Sequence, residues 1–177
     1  MTHIRKQSPE ELNRLSVEAF KATKKIPVVV VLDNVRSMHN VGSVFRSADA
    51  FLVERIILCG YTPTPPHRDI QKTALGATET VAWTYAKEVT DALDLLAAED
   101  YTLTAVELAE PSYAPDMLPF TPERLALVFG NEVTGVQDEA LLRCSFAIEI
   151  PQYGAKHSLN IGVAAGVVLY EMRKLFL

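Results

Sequence analysis

Ile150-Pro151-Gln152-Tyr153-Gly154-Ala155-Lys156-His157-Ser158-Leu159-Asn160 closes one apolar run and opens another. A proline ends the first run, a polar loop with one glycine follows, and Ser158 opens an apolar helix that runs almost to the terminus. The plain reading is strand, loop and capped helix. Two other stretches, 33–46 and 129–135, also place Asn, Arg, Glu and Gly at the ends of apolar runs. Three such loops at strand ends predict one shared polar site.

Working outward, Pro27 to Leu32 holds four consecutive valines, the pattern of a parallel strand buried on both faces. Further strands are expected over Arg55 to Cys59, Thr80 to Tyr85, Tyr101 to Leu108, Leu125 to Phe129 and Ala147 to Ile150. Helices are expected from about Val41 to Leu52 with Asn40 as cap, over His67 to Ala77 with Gly76 as closing residue, from Lys87 to Ala98 and near Asp138 to Arg143. The segment from Ala109 to Pro122 holds four prolines and reads as an irregular crossing. Six strands alternating with helices predict an α/β fold with a mainly parallel sheet, and ligands in such sheets bind at the carboxyl ends of the strands. Val106 and its neighbours occupy one such end.

The chain has 177 residues, which suits one domain, and 49% of them are apolar, yet no window approaches the length of a membrane span. Cys59 and Cys144 sit in or beside apolar runs without metal spacing, and the expectation is a reduced, cytoplasmic chain with buried, inert thiols. The net charge of −5 argues against an unselective coat for nucleic acid. The charge is uneven. Arg5, Lys6, Arg14, Lys21, Lys24 and Lys25 face only Glu10, Glu11 and Glu18 in residues 1–25, read as a basic helical extension before a domain spanning 26–177. Within it, Ser8, Pro9 and Glu11 form a capping-box start, and Leu12, Leu15, Ala19 and Phe20 share a face. The basic side chains suit either phosphates or a solvated face, and so do Arg68 and Lys72, four apart on one side of their helix.

No G-x-G-x-x-G or G-x-x-x-x-G-K-[ST] is present, no serine sits in a nucleophile elbow, and His3, His39, His67 and His157 show no metal spacing. From the residues alone, the reading ends at an α/β domain with a polar site at its strand ends.

Asn34 with Asn40-Val41-Gly42-Ser43-Val44-Phe45-Arg46 forms a first motif, and Phe129-Gly130-Asn131-Glu132-Val133-Thr134-Gly135 a second. The third runs from Ile150-Pro151 through Ser158-Leu159-Asn160 to Tyr170-Glu171. In order and spacing the set resembles the SPOUT superfamily of knotted methyltransferases, specifically its TrmH-like (SpoU) class, over about 27–173. The resemblance implies a C-terminal trefoil knot, against the general rarity of knots. It also implies a homodimer through the last helix, and transfer of a methyl group from S-adenosylmethionine to a ribose 2′-hydroxyl of tRNA or rRNA, without a metal. Carried over by position, the cofactor would be held at Val106, Gly130, Asn131, Glu132, Ile150, Gln152 and Leu159. The catalytic set would be Arg46, Asn40, Glu132, Ser158 and Asn160.

The family assigns proton removal to the position of Arg46. A guanidinium is a very poor base, so a clamp on the adjacent RNA phosphate is the alternative role. Asn40 is expected to orient Arg46 and cap its helix, and Ser158 and Asn160 to cap the last helix beside the site. On that helix, Ile161, Ala164, Ala165, Val168 and Leu169 are expected to share knot core and dimer contact. Gly162 departs from the serine common in the family and removes a hydroxyl. With no separate RNA-binding domain ahead of the core, a tRNA loop is expected before an rRNA site. The competing function is a knotted RNA-binding module without catalysis. An ordinary Rossmann-like enzyme would need a nicotinamide or flavin signal that the sequence lacks.

Overall fold

A computed structural model describes residues 3–8, 10–12, 14–155 and 158–177. Its centre is a parallel sheet of β1 (Ile26–Asp33), β2 (Val53–Cys59), β3 (Ala82–Ala86), β4 (Thr102–Val106), β5 (Ser112–Tyr113), β6 (Leu125–Phe129) and β7 (Phe146–Ile148). The strand order is β3-β2-β1-β6-β4-β7-β5, and every neighbouring pair is parallel. The sheet therefore has seven strands where the sequence predicts six. The addition is β5, inside the proline-rich crossing, where Ser112 and Tyr113 pair with Ala147 and Ile148. Two residues beside a proline carry no periodicity that a sequence reading could detect.

The valines of β1 divide between two cores, as a doubly covered strand requires. Val28, Val30 and Leu32 face α2 (Met38–Ala50) and α7 (Ile161–Leu175); Val29 and Val31 face α5 (Val89–Ala98) and α6 (Asp138–Leu141). Residues Val28 to Leu32 have no exposed surface.

Several helix boundaries differ from expectation. The N-terminal stretch is two pieces: a 3-10 turn at Glu10–Leu12, then α1 (Val17–Ala22), capped by Ser16. Half of the expected capping box forms, with the Ser8 N–H donating to Glu11 at 2.8 Å, while Pro9 lies outside the described residues. Leu12 and Leu15 are exposed and Phe20 alone is buried, so the first turn has no packed face to extend it. After β2, α3 (Arg68–Ala74) ends at Leu75, which takes the left-handed conformation (φ 49°) expected of Gly76, and the short α4 (Ala77–Thr80) follows. The last strand stops at Ile148, leaving Ile150 in the loop. Among the described residues no helix is long and apolar enough to cross a membrane.

Candidate functional site

β1, β6, β4 and β7 are consecutive in the sheet, so the loops at their carboxyl ends meet. The loop after β6 folds back on itself: the Asn131 N–H donates to the Gly135 carbonyl and the Gly135 N–H to the Asn131 carbonyl, both at 2.9 Å. A Cβ on Gly130 would fall 2.1 Å from the Gly135 carbonyl carbon, so this return requires glycine. The Asn131 side chain accepts from the Val133 N–H at 2.8 Å and donates to the Asn34 carbonyl at 2.8 Å, fixing this loop to the one after β1.

Glu132 is the hub. Its carboxylate accepts from the N–H groups of Arg36 (2.9 Å) and Ser37 (3.0 Å) and from the Asn40 side-chain amide (2.8 Å). Burial works to raise its pKa, but these hydrogen bonds together outweigh it, so the carboxyl titrates below its ordinary value. The position suits an anion, because two of the donors lie just ahead of α2 and point out of its N-terminal end.

Asn40 does not cap α2. Ser37 does, accepting from the Asn40 N–H at 3.3 Å, and the helix begins three residues earlier than predicted. The Asn40 side chain is thereby released: its amide nitrogen donates to Glu132 and its oxygen accepts from the Asn160 amide at 2.9 Å. Asn160, not Ser158, caps α7, accepting from the N–H groups of Gly162 (2.9 Å) and Val163 (3.4 Å). The amide orientations follow without ambiguity. The α7 N–H groups need the Asn160 oxygen, so its nitrogen must face the Asn40 oxygen, and the Asn40 nitrogen must face the acceptor-only carboxylate. One polar chain thus joins all three sequence motifs.

Beside this chain lies an open cleft. Val106, Gly130, Asn131, Glu132, Ile150, Gln152 and Leu159 all line it, and Ser158 stands at its rim as an exposed residue. Glu107 and Glu149 also line it and were not singled out from sequence. Glu107 accepts from the Val136 N–H at 3.1 Å and so ties the end of β4 to the glycine loop. Its place directly after Val106 was the available signal. Lys156 and His157 lie outside the described residues.

Arg46 is not brought into this cleft. It is exposed on α2, contacts neither Asn40 nor any other hydrogen-bond or ion-pair partner among the described residues, and so is not oriented as expected. Lys72 pairs with Asp69 on its own helix at 2.6 Å, while Arg68 is exposed. Sequence reading also passed over Asp33, which is fully buried and accepts from the Gln137 N–H (2.9 Å) and side-chain amide (2.5 Å).

Gly162 has a packing reason. A Cβ there would meet the Ser43 Cβ at 2.8 Å, so the missing side chain lets α7 approach α2 closely. Ala165, Val168, Leu169 and Met172 fill the core of the chain itself, whereas Val163, Val167 and Tyr170 are exposed. The predicted sharing of Ala165, Val168 and Leu169 with a partner is therefore corrected.

Residues 27–170 match the model of the SpoU rRNA Methylase family. The chain belongs to this family. Among its relatives, the 23S rRNA (guanosine-2′-O-)-methyltransferase RlmB of Haemophilus influenzae is 33% identical over 171 residues, covering 95% of this chain and 68% of that protein. A putative TrmH family tRNA/rRNA methyltransferase of Staphylococcus haemolyticus is 30% identical over 156 residues, 88% of this chain and 62% of that one. The AdoMet-bound rRNA methyltransferase of Sinorhizobium meliloti superposes with a TM-score of 0.80 at 28% identity, covering 89% of this chain and 60% of that one. The A. aeolicus TrmH/SpoU tRNA modifying enzyme, with a TM-score of 0.78 at 24% identity over 90% of this chain and 81% of that one, shares the fold. The chain spans 62% of the length of the S. haemolyticus relative and 60% of the S. meliloti structure.

Proposed function

We propose that this SpoU family chain transfers a methyl group from S-adenosylmethionine to a ribose 2′-hydroxyl of tRNA or rRNA. The observation that carries the reading is the polar chain Glu132–Asn40–Asn160, which brings the three motifs together at the edge of one cleft. The cleft's chemistry fits the cofactor. Glu107, Glu132 and Glu149 line it together with apolar Leu159, Ile161 and Ala164, and among the described lining residues there is no Lys or Arg. Carboxylates beside an apolar wall suit a ligand bearing sulfonium and ammonium charges and an adenine ring. They repel a polyphosphate. Val106, Gly130, Ile150 and Leu159 would hold the cofactor, with Glu132 keeping the glycine loop in register.

Bound there, S-adenosylmethionine supplies a methyl group on a cationic sulfur. Transfer to a ribose oxygen would form an O–C bond as the S–C bond breaks, the sulfur keeping the electron pair and the hydroxyl giving up its proton. Because nucleophile and donor neutralise each other, alignment and exclusion of water matter more than a strong field. Arg46, with its guanidinium exposed, clamps the RNA phosphate next to that ribose. The exposed Lys6, Arg14, Lys21 and Lys24 add phosphate contacts, while Arg5 is paired with Glu11 and Lys25 with the Phe20 and Thr23 carbonyls. The chain acts as a homodimer through the exposed face of α7. On the family resemblance, its segment after β7 is threaded as a trefoil knot; β4 lying between β6 and β7, with α6 and α7 on opposite faces of the sheet, is compatible with such a path. Pulling both termini apart should then give an extended chain measurably shorter than about 3.3–3.6 Å per residue; full extension excludes the knot.

The function is tested with tritiated S-adenosylmethionine and total RNA. The expected product resists alkaline cleavage at the labelled nucleotide, since a 2′-O-methyl group blocks that reaction. Arg46→Lys should lose at least about 90% of transfer while cofactor affinity stays within about twofold. Firm RNA binding without transfer by the wild-type chain would instead favour the non-catalytic module.

A further inference from the structure

A second cleft opens at the same edge of the sheet, beyond the loop that follows β1, and nothing above uses it. Asn34, Gly60, Tyr61, Tyr85, Lys87 and Gln137 are among its lining. Two tyrosines are exposed there, Tyr61 at 66% and Tyr85 at 52%. The first is held at its backbone and the second at its ring. The Tyr61 N–H donates to the Asn34 side-chain oxygen at 3.1 Å, and the Tyr85 hydroxyl donates to the Gly60 carbonyl at 2.9 Å, which fixes the ring of the second by its far end. Thr62 anchors the segment further, accepting from the Val35 N–H and donating to the Leu32 carbonyl, each at 3.0 Å. An aromatic ring fixed by its hydroxyl yet left in solvent, as that of Tyr85 is, loses little freedom when a flat partner covers it.

The loop that serves this cleft also serves the first. Asn34 lines the tyrosine cleft, and two residues later the Arg36 N–H binds Glu132 in the wall of the cofactor cleft. Two residues of chain span at most about 7 Å. The side chains of Arg36 and Lys87 are exposed, Lys87 at 4.0 Å from the exposed Glu88 carboxylate that also lines the cleft, and Arg36 has no side-chain partner among the described residues. Rings for stacking with cations beside them are the equipment of a site for unpaired nucleotides, and RNA is read chiefly where its bases are splayed out of a helix.

We infer that Tyr61 and Tyr85 form a stacking subsite for an unpaired base flanking the ribose to be methylated, with Arg36 and Lys87 taking the adjoining phosphates. The inference rests on the RNA-methylation reading and specifies how the substrate is held. It requires the target to lie in a single-stranded loop, because a base inside a helix cannot present its face to the rings.

The probe is a fluorescein-labelled single-stranded RNA 12-mer of mixed sequence, with binding read by anisotropy and cofactor affinity by calorimetry. Tyr61→Ala and Tyr85→Ala should each weaken RNA binding about tenfold, Tyr61→Phe should stay within about twofold of wild type, and all three should bind S-adenosylmethionine as the wild type does. A double-stranded RNA of the same sequence should bind alike in every variant. Wild-type methyl transfer to total RNA, accompanied by unchanged RNA affinity in both alanine variants, overturns the subsite and leaves the catalytic reading standing. Absence of both transfer and RNA binding in the wild type overturns the two together. Loss of cofactor affinity in the alanine variants also overturns it, since the tyrosines would then act on the first cleft.

Discussion

Asn160 carries two duties with one amide: its oxygen caps α7 and its nitrogen holds Asn40 against Glu132. Aspartate separates them. It caps a helix as well as asparagine, but Asn160→Asp turns an oxygen toward the Asn40 oxygen. If Asn40 rotates to satisfy the new carboxylate, its oxygen then faces Glu132. Either arrangement leaves two acceptors in contact, so the variant should lose about 1–3 kcal/mol of stability in urea titrations. It should also bind S-adenosylmethionine several-fold more weakly, because the glycine loop is held through Glu132. Wild-type values for both would show that the polar chain is ornamental. Much of this site was legible at the residue scale. Polar residues at the ends of apolar runs are local signals, and they located the three loops; the family resemblance then named Asn40, Glu132 and Asn160 within them. The partners were not legible. Asn40 was read as a cap because the pairing that claims its side chain lies 92 and 120 positions away. Nothing local reveals that Ser37 supplies the cap instead.

Helices α2 and α7 are matched at a spacing of four residues. Gly162 meets Ser43, Gly166 meets Ser47, and the Tyr170 ring meets Phe51 edge-on at 5.9 Å. The pairs ascend together, so the helices run parallel, and the small residues at the first two levels permit the approach. Read as sequence, Gly162 was a missing hydroxyl; read as packing, it is the space Ser43 occupies. The same geometry sorts the apolar residues of α7. Those packed inward are consumed by the chain's own core, while Val163, Val167 and Tyr170, at 53%, 39% and 54% exposure, form a stripe on another face. This stripe is the face through which the proposed homodimer would form. If it does, Val167→Glu places two carboxylates near the shared axis and should shift sedimentation from dimer to monomer, with the fold's circular dichroism intact. A monomeric wild-type chain at micromolar concentration refutes the homodimer.

Across the whole molecule, the sheet divides labour between its edges. The carboxyl ends of the strands hold both clefts, and the opposite edge is tied by a cluster of charge and aromatic contacts. There the Tyr101 hydroxyl donates to Glu54 and accepts from Arg124, both at 2.7 Å, and the Arg124 guanidinium lies 4.0 Å from the centre of the Tyr101 ring. Burial, then the Glu54 carboxylate, pushes the Tyr101 pKa up to about 12. Burial likewise pushes Cys59 up to about 12, with the neighbouring Asp33 adding to it, and Cys144 to about 11. The sign is the same for all three. In the unfolded chain the thiols ionise near pH 8.5 and the phenol near 10, while the folded chain keeps their protons. The unfolded state therefore binds fewer protons as pH rises, and stability, complete below about pH 8.5, is lost progressively toward pH 11–12. Each group contributes a slope of about 1.4 kcal/mol per pH unit inside its window, so the two thiols together should cost roughly 2–4 kcal/mol between pH 7.5 and pH 10. Urea titrations across that range measure it. In the Cys59→Ala, Cys144→Ala double variant the baseline falls but the slope below pH 10 should vanish, leaving only the later fall from Tyr101. A slope that survives both substitutions would assign the alkaline loss to other groups and detach the thiols from the core's stability.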